Sequence, residues 1–305
     1  MSTLAPASLP ASTAARRASL GVLLAAFISG LYWLPLRGVQ QAGVADLWAA
    51  VLIALPAVLV LLPLLLRPAS RPRAADLGSL LLVAGTIGAA FSCYTASLIL
   101  TDVVHALLLF YIAPAWSTLL EVCVLGRRLT LRRVAALVLA FAGLWAILGG
   151  GDSLPLPRNV GDWMALASGL LWAVGTLVAF RRPALSTLQQ TLALGLGALA
   201  TSLLLALLGL AGEFPASPAL GAATPWLLPL ALLLTLPMWF LTLWGVKTLS
   251  PTRTTLIFML EVCIGVASAA ILTDEPFGWS EGLGMLLVLA AAGVELLEPR
   301  KPGGE

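Results

Sequence analysis

Apolar runs of about twenty residues recur from one end of this chain to the other, separated by short polar breaks. A helix of that length spans the roughly 30 Å hydrocarbon core of a bilayer. Within lipid every backbone polar group must be satisfied internally, which leaves helices or closed barrels, and runs this long and uniformly apolar are helical. The composition agrees, with 60% hydrophobic and 10% charged residues, where soluble domains carry about 25% charged. Ten spans are predicted, at 19–39, 46–66, 77–100, 104–125, 132–149, 161–180, 187–211, 226–247, 253–272 and 280–297. Residues 1–18 read as a disordered cytoplasmic tail and 299–305 as a second tail.

The breaks alternate in charge. One set holds Arg16, Arg17, Arg67, Arg71, Arg73, Arg127, Arg128, Arg132, Arg133, Arg181, Arg182, Lys247, Arg253, Arg300 and Lys301. The other holds only Arg37 and Arg158, with Asp46, Asp102, Asp152, Asp162, Glu213, Asp274, Glu275 and Glu281. Basic residues stay on the cytoplasmic side, so both termini are predicted to be cytoplasmic. The net charge of +3 is dispersed over separate loops, which fits an anionic inner leaflet and excludes a nucleic-acid face. Cys93, Cys123 and Cys263 all fall inside apolar runs and read as small buried hydrophobes.

The halves resemble each other. Ile28-Ser29-Gly30-Leu31-Tyr32-Trp33 matches Ala167-Ser168-Gly169-Leu170-Leu171-Trp172, and the break after span 4 (Leu125 to Leu129) corresponds to that after span 9 (Thr273 to Phe277). Five spans per copy, 19–150 and 160–298, oblige the second copy to enter the membrane upside down. The first of those breaks is basic and the second acidic, as inversion requires. Inverted repeats are a usual construction of secondary transporters, with the substrate site near the midplane between the halves. A second match, Leu120–Cys123 with Leu260–Cys263, is about two turns out of register and is set aside as chance.

Ten spans, paired five-span copies and these motifs resemble the EamA-type branch of the drug/metabolite transporter superfamily, over about residues 18–298. The stretch from Ala106 through Pro114 to Gly143 is similar to the family's core block, as is Ser250-Pro251 through Glu261 to Glu275. Phe110-Tyr111-Ile112-Ala113-Pro114 and Ile147 to Asp152 resemble the aromatic amino acid exporter subgroup. Arg127 stands where the family usually carries an acidic residue, and Val262 where a proline is expected. The resemblance implies amino acid efflux across the bacterial inner membrane. No CxxC or other metal-ligand pattern is present in the sequence, and neither a metal nor a cofactor is expected.

Glu261 is the sharpest candidate. It falls roughly 12 Å into span 9, where an ionisable group is costly and marks function by default. Thr254, Gly265 and Ser268 share its helical face, which reads as a small, polar cavity wall. Its expected roles are contact with a substrate amine or proton coupling; the structural alternative is a paired glutamate joining two helices. Ser29 with Trp33, and Ser168 with Trp172, have i, i+4 spacing in equivalent spans, and tryptophan offers a cation–π face to an ammonium. Tyr94, Tyr111 and Trp239 complete the expected substrate-binding set, with lipid or core packing as the alternative for each aromatic. His105, the only histidine, is a second proton-coupling candidate. Glu121 reads as an interfacial ion pair with Arg127 and Arg128. Ala84 with Gly88, and Gly85 with Ala89, read as small-residue helix contacts. Trp163, Trp226 and Trp279 fall at span ends and read as an interfacial aromatic belt.

These features predict a secondary transporter that exports amino acids or similar small metabolites by alternating access. A small-molecule substrate and the bilayer are its expected partners, and one chain suffices for a pathway. Exporters of drugs or other metabolites, and a passive facilitator, remain as alternatives on the same fold. An intramembrane enzyme is disfavoured by the single histidine and the lack of HExxH or GxSxG patterns.

Overall fold

The computed structural model describes residues 11–44, 46–63, 71–101, 103–148, 156–182, 185–272 and 277–296, and these contain helices and no strand. Arg67, Asp102, Asp152, Asp274, Glu275, Arg300 and Lys301, the Thr273–Pro276 part of the repeated break, the 149–152 end of the subgroup resemblance and the tail 299–305 lie outside the described residues.

The helices are α1 (Ala11–Gly30), α2 (Trp33–Gln41), α3 (Asp46–Leu61), α4 (Leu77–Val83), α5 (Ala89–Leu100), α6 (Val103–Phe110), α7 (Ala113–Leu125) and α8 (Leu131–Ile147). They are followed by α9 (Val160–Arg181), α10 (Thr187–Leu205), α11 (Ser217–Leu230), α12 (Leu236–Thr248), α13 (Pro251–Phe258), α14 (Leu260–Leu272) and α15 (Trp279–Leu296). Among the described residues six helical segments are long and apolar enough to cross a membrane: Ala74–Leu100, His105–Leu125, Val160–Arg181, Thr187–Leu210, Ser217–Thr248 and Pro251–Leu272. Leu47–Leu61 and Trp279–Val294 are shorter apolar helices. Leu81, Leu207, Leu233 and Ile271 lie on the exterior, and Trp163, Trp226 and Trp279 are exposed close to helix N-termini or at a proline-bearing turn. An apolar outer surface of this kind suits lipid.

Two expectations need correction. The described chain is helical from Ala11, so residues 11–18 are helical rather than part of a disordered tail, and residues 1–10 of that predicted tail lie outside the described residues. Alanine is the strongest helix former, and Ala15 and Ala18 are buried in the core. The predicted span 19–39 is not one helix. It ends at Gly30, turns through Leu31-Tyr32 and restarts at Trp33. A proline at position 35 offers no N–H to the Leu31 carbonyl, which instead accepts from the Leu34 amide at 3.2 Å.

Helices α4 and α5 are joined by a π-turn, Ala84–Gly88, and α11 and α12 by another, Ala231–Thr235. A π-turn releases a carbonyl from the helical ladder. In each case a threonine of the turn supplies a donor, Thr86 to Leu82 O and Thr235 to Leu230 O. Gly88 packs on Gly197, Ala198 and Leu194 of α10, whereas Gly85 faces open space. Of the two expected small-residue contacts, the Ala84–Gly88 face is therefore the one used.

Helix contacts occur as exchanged pairs. Helix α1 packs on α12 and on α13–α14, and α9, which carries the matching Ser-Gly-x-x-Trp segment, packs on α5 and on α6–α7. Helices α8 and α15 pack on each other. The core lies where α1 and α9 meet the two interrupted helices α6–α7 and α13–α14.

Candidate functional site

The interruptions place the site. Pro114, in the first turn of α7, has no N–H for the Phe110 carbonyl, so α6 ends there and the chain turns through Tyr111-Ile112. In the other half the interruption is the single residue Met259, with no proline. Each break is met by a glycine of the repeated motif. A Cβ on Gly169 would fall 2.6 Å from the Phe110 carbonyl oxygen, and one on Gly30 would fall 2.7 Å from the Glu261 carbonyl oxygen. Only glycine permits these approaches, which bring α9 onto the first break and α1 onto the second.

Beside the two breaks lies a small cavity. Ser29, Ile87, Ala90, Phe91, Tyr94 and Phe110 line it from the first half. Trp172, Leu194, Met238, Trp239, Thr242, Phe258 and Glu261 line it from the second. Phe110 and Phe258 are the last helical residues before the two breaks. The rings are mutually braced: Tyr94 lies 4.4 Å from Phe110, Phe91 is edge-on to Trp239 at 5.5 Å, and Trp172 lies 5.6 Å from Phe258 between centroids. Glu261 is the one charged residue of this lining. The hydroxyls of Ser29 and Tyr111 lie within interaction range of its carboxyl.

Five expected substrate-binding residues, Ser29, Tyr94, Trp172, Trp239 and Glu261, thus share one wall. Tyr111 is buried behind it, with its hydroxyl toward Glu261. Trp33 and Ser168 lie elsewhere. The break after Gly30 turns Trp33 away from the face of Ser29, and its indole Nε1 donates to Ser268 Oγ at 2.9 Å. Ser168 is fully buried and donates to its own helix at Ala165 O. The face expected around Glu261 is also redistributed. Thr254 is buried before the break, and Gly265 and Ser268 pack on Gly30 and Trp33 rather than lining the cavity.

His105 lies far from Glu261 in sequence and outside the cavity lining. Its Nδ1 is 3.9 Å from Asp162, on α9. Asp162 accepts from Thr101 Oγ1 at 2.6 Å and from the Arg158 amide at 2.8 Å, which ties the end of α5 to the start of α9. Glu121 differs from expectation. It is fully buried, and it pairs with Arg127 as expected but with Arg133 in place of Arg128, each guanidinium at 3.0 Å. Gly126 ends α7 at φ +63°, a left-handed turn that sends Arg127 back along the helix toward it.

Phe91, Phe110, Met238, Thr242 and Phe258 were not singled out as substrate contacts by sequence reasoning. The one available signal was Phe110, four residues ahead of Pro114, where a proline forces a helix end. Among the described residues no group of acidic, His and Cys side chains is arranged to hold a metal ion.

The family model described as EamA-like transporter family matches twice, over residues 16–149 and 159–295. This chain belongs to the EamA-like transporter family. It is therefore a multi-pass membrane transporter of a non-enzymatic family, built from two copies that together cover nearly all of the chain. The cavity takes its lining from both EamA copies. A search of curated proteins gives no match. Among solved structures 29 chains match. One, titled "Crystal structure of protein", aligns over 93% of this chain and 99% of its own with a TM-score of 0.70 at 18% identity, a likeness of fold alone.

Proposed function

We propose that this EamA-family protein is a secondary transporter that exports amino acids or similar small amine-bearing metabolites across the bacterial inner membrane by alternating access. The observation that carries this reading is Glu261, a lone carboxylate in a mostly apolar and aromatic cavity lined by both family copies. An ammonium group is its natural counter-ion, and Trp172, Trp239 and Tyr94 supply π faces beside it. Proton coupling follows if the carboxylate exchanges a proton for the ammonium. In the same reading ten spans form two inverted five-helix repeats, 19–150 and 160–298. Both termini are cytoplasmic and one chain suffices. The alternating charge of the breaks and the exchanged helix contacts support it.

The aromatic lining also favours a second reading within the same site, export of lipophilic amines such as cationic drugs. Counterflow in proteoliposomes tests both. Vesicles loaded with unlabelled amino acids or amines are assayed for uptake of labelled ones, beside Glu261→Gln. Saturable exchange that the substitution removes is the expected result. Exchange that is non-saturable, or equal in the variant, points to a facilitator or to a different site.

A further inference from the structure

A polar seam runs from the cavity toward the arginine-rich loop between α7 and α8, along the contact of α7 with α13. At the cavity end Trp172 Nε1 donates to Thr255 Oγ1 at 3.4 Å. Thr255 Oγ1 lies 3.4 Å from Ser117 Oγ, and Thr118 Oγ1 lies 3.3 Å from Thr252 Oγ1. At the loop end Glu121 closes the row. One carboxylate oxygen accepts the Thr252 amide N–H at 2.7 Å, while the other receives Arg127 and Arg133. A side chain of the first family copy thus caps the first turn of a helix in the second.

Two features set this contact apart from ordinary helix packing. Helices that associate permanently in lipid do so through small residues, close packing and hydroxyl hydrogen bonds, so the Ser and Thr row alone is ordinary. The fully buried Glu121 carboxylate is not, because it carries a desolvation cost that packing does not require. Such groups suit surfaces that meet water for part of a cycle. The contact is also one-sided. Helix α7 packs on α13, whereas among the described residues α6 packs on α5 and α9, and α14 on α1 and α15, with no comparable packing between α6 and α14. The two interrupted helices therefore close on each other only at the Glu121 end, and both break beside the cavity.

We infer that the α7–α13 seam is the shut gate of the transport pathway on the side of the Arg127–Arg133 loop, and that Glu121 is its latch. When the gate parts, Glu121 keeps its two arginines and gives up the Thr252 N–H, which water then satisfies. The hydroxyls of Ser117, Thr118, Thr252 and Thr255 become the wetted wall of the path. This rests on the cavity being the substrate site, but its test needs no substrate.

In full-length protein with Cys93, Cys123 and Cys263 replaced by alanine, Ser117→Cys reports the seam through its reaction with a membrane-impermeant maleimide. An Arg128→Cys protein marks which vesicle face is the loop side. The expected result is slow labelling with Glu121 intact, and labelling at least tenfold faster from the loop side alone with Glu121→Gln. Equal rates with and without the substitution, or faster labelling from the opposite side, would overturn the gate. Should the Gln variant fail to fold, Glu121→Asp keeps a carboxylate for the arginines but draws it back from the Thr252 N–H, and a smaller one-sided increase is expected; no increase in that variant overturns the latch. Loop-side labelling in protein that shows no amine counterflow would fault the substrate reading and leave the gate standing.

Discussion

Gly143 of α8 and Gly284 of α15 lie back to back. A Cβ on Gly143 would fall 2.6 Å from the Gly284 carbonyl oxygen, and one on Gly284 would fall 2.5 Å from the Gly143 carbonyl oxygen. Each belongs to the last helix of its family copy, so the two copies are joined here with no side chain between the backbones.

Gly143→Ala is expected to destabilise the protein by about 1–3 kcal/mol, the usual cost of overpacking, because the new methyl meets backbone that cannot rotate away. Gly293, on the same helix as Gly284, has nothing within 4 Å of an added Cβ. Gly293→Ala should be neutral or stabilising by up to about 1 kcal/mol, since alanine is the better helix former. Thermal unfolding of both variants in one detergent checks this. Equal midpoints would mean that α8 and α15 separate more easily than their contact implies.

Glu261→Gln should lower affinity for an amine substrate by roughly 10- to 100-fold, the equivalent of about 1.5–3 kcal/mol for a charge-assisted contact. A proton and an ammonium compete for the same carboxylate. Affinity should therefore rise with pH through the titration of Glu261 and become flat in the variant. Equilibrium binding at a series of pH values decides it, and a Gln variant that keeps the slope would move the coupling elsewhere.

Nothing in the cavity lining is basic, so the carboxylate of an amino acid finds no charged partner there. Its methyl ester and its decarboxylated amine should bind at least as tightly as the parent. A competition series with one aromatic amino acid and these two derivatives reads the ranking. Tighter binding of the free amino acid by tenfold would require a cation that the lining does not contain.

Trp172 and Trp33 occupy matching places in the repeated motif, yet Trp172 lines the cavity and Trp33 does not. Trp172→Phe should weaken binding by removing both π area and the indole contact to Thr255. Trp33→Phe should leave equilibrium binding unchanged. Similar losses in both variants would place the substrate nearer the end of α1 than the cavity lies.

Much of the helical layout was legible because hydrophobicity and length are local properties. The span predicted at 77–100 is the α4–α5 helix, although the π-turn within it leaves no periodic trace. Glu261 stood out because a lone carboxylate in an apolar run is conspicuous without any knowledge of its neighbours. The pairings were not legible. Trp33 was misplaced because the i, i+4 rule assumes an unbroken helix, and α1 breaks between Ser29 and Trp33. Glu121 sat beside four arginines in sequence, which pointed to the surface. Its partner across the fold is the Thr252 amide, 131 residues away, and no local pattern announces a contact at that range.

That separation also bears on how the protein is made. At a synthesis rate of about 5–20 residues per second, Glu121 enters the membrane on the order of ten seconds before Thr252 exists. During that interval its arginines are present but one carboxylate oxygen lacks its amide partner, so the first copy is left with an acceptor its own half does not satisfy. The nascent protein is thereby held in an unfinished state until α13 arrives, and a quality-control protease meeting the first half alone would find a carboxylate only partly answered.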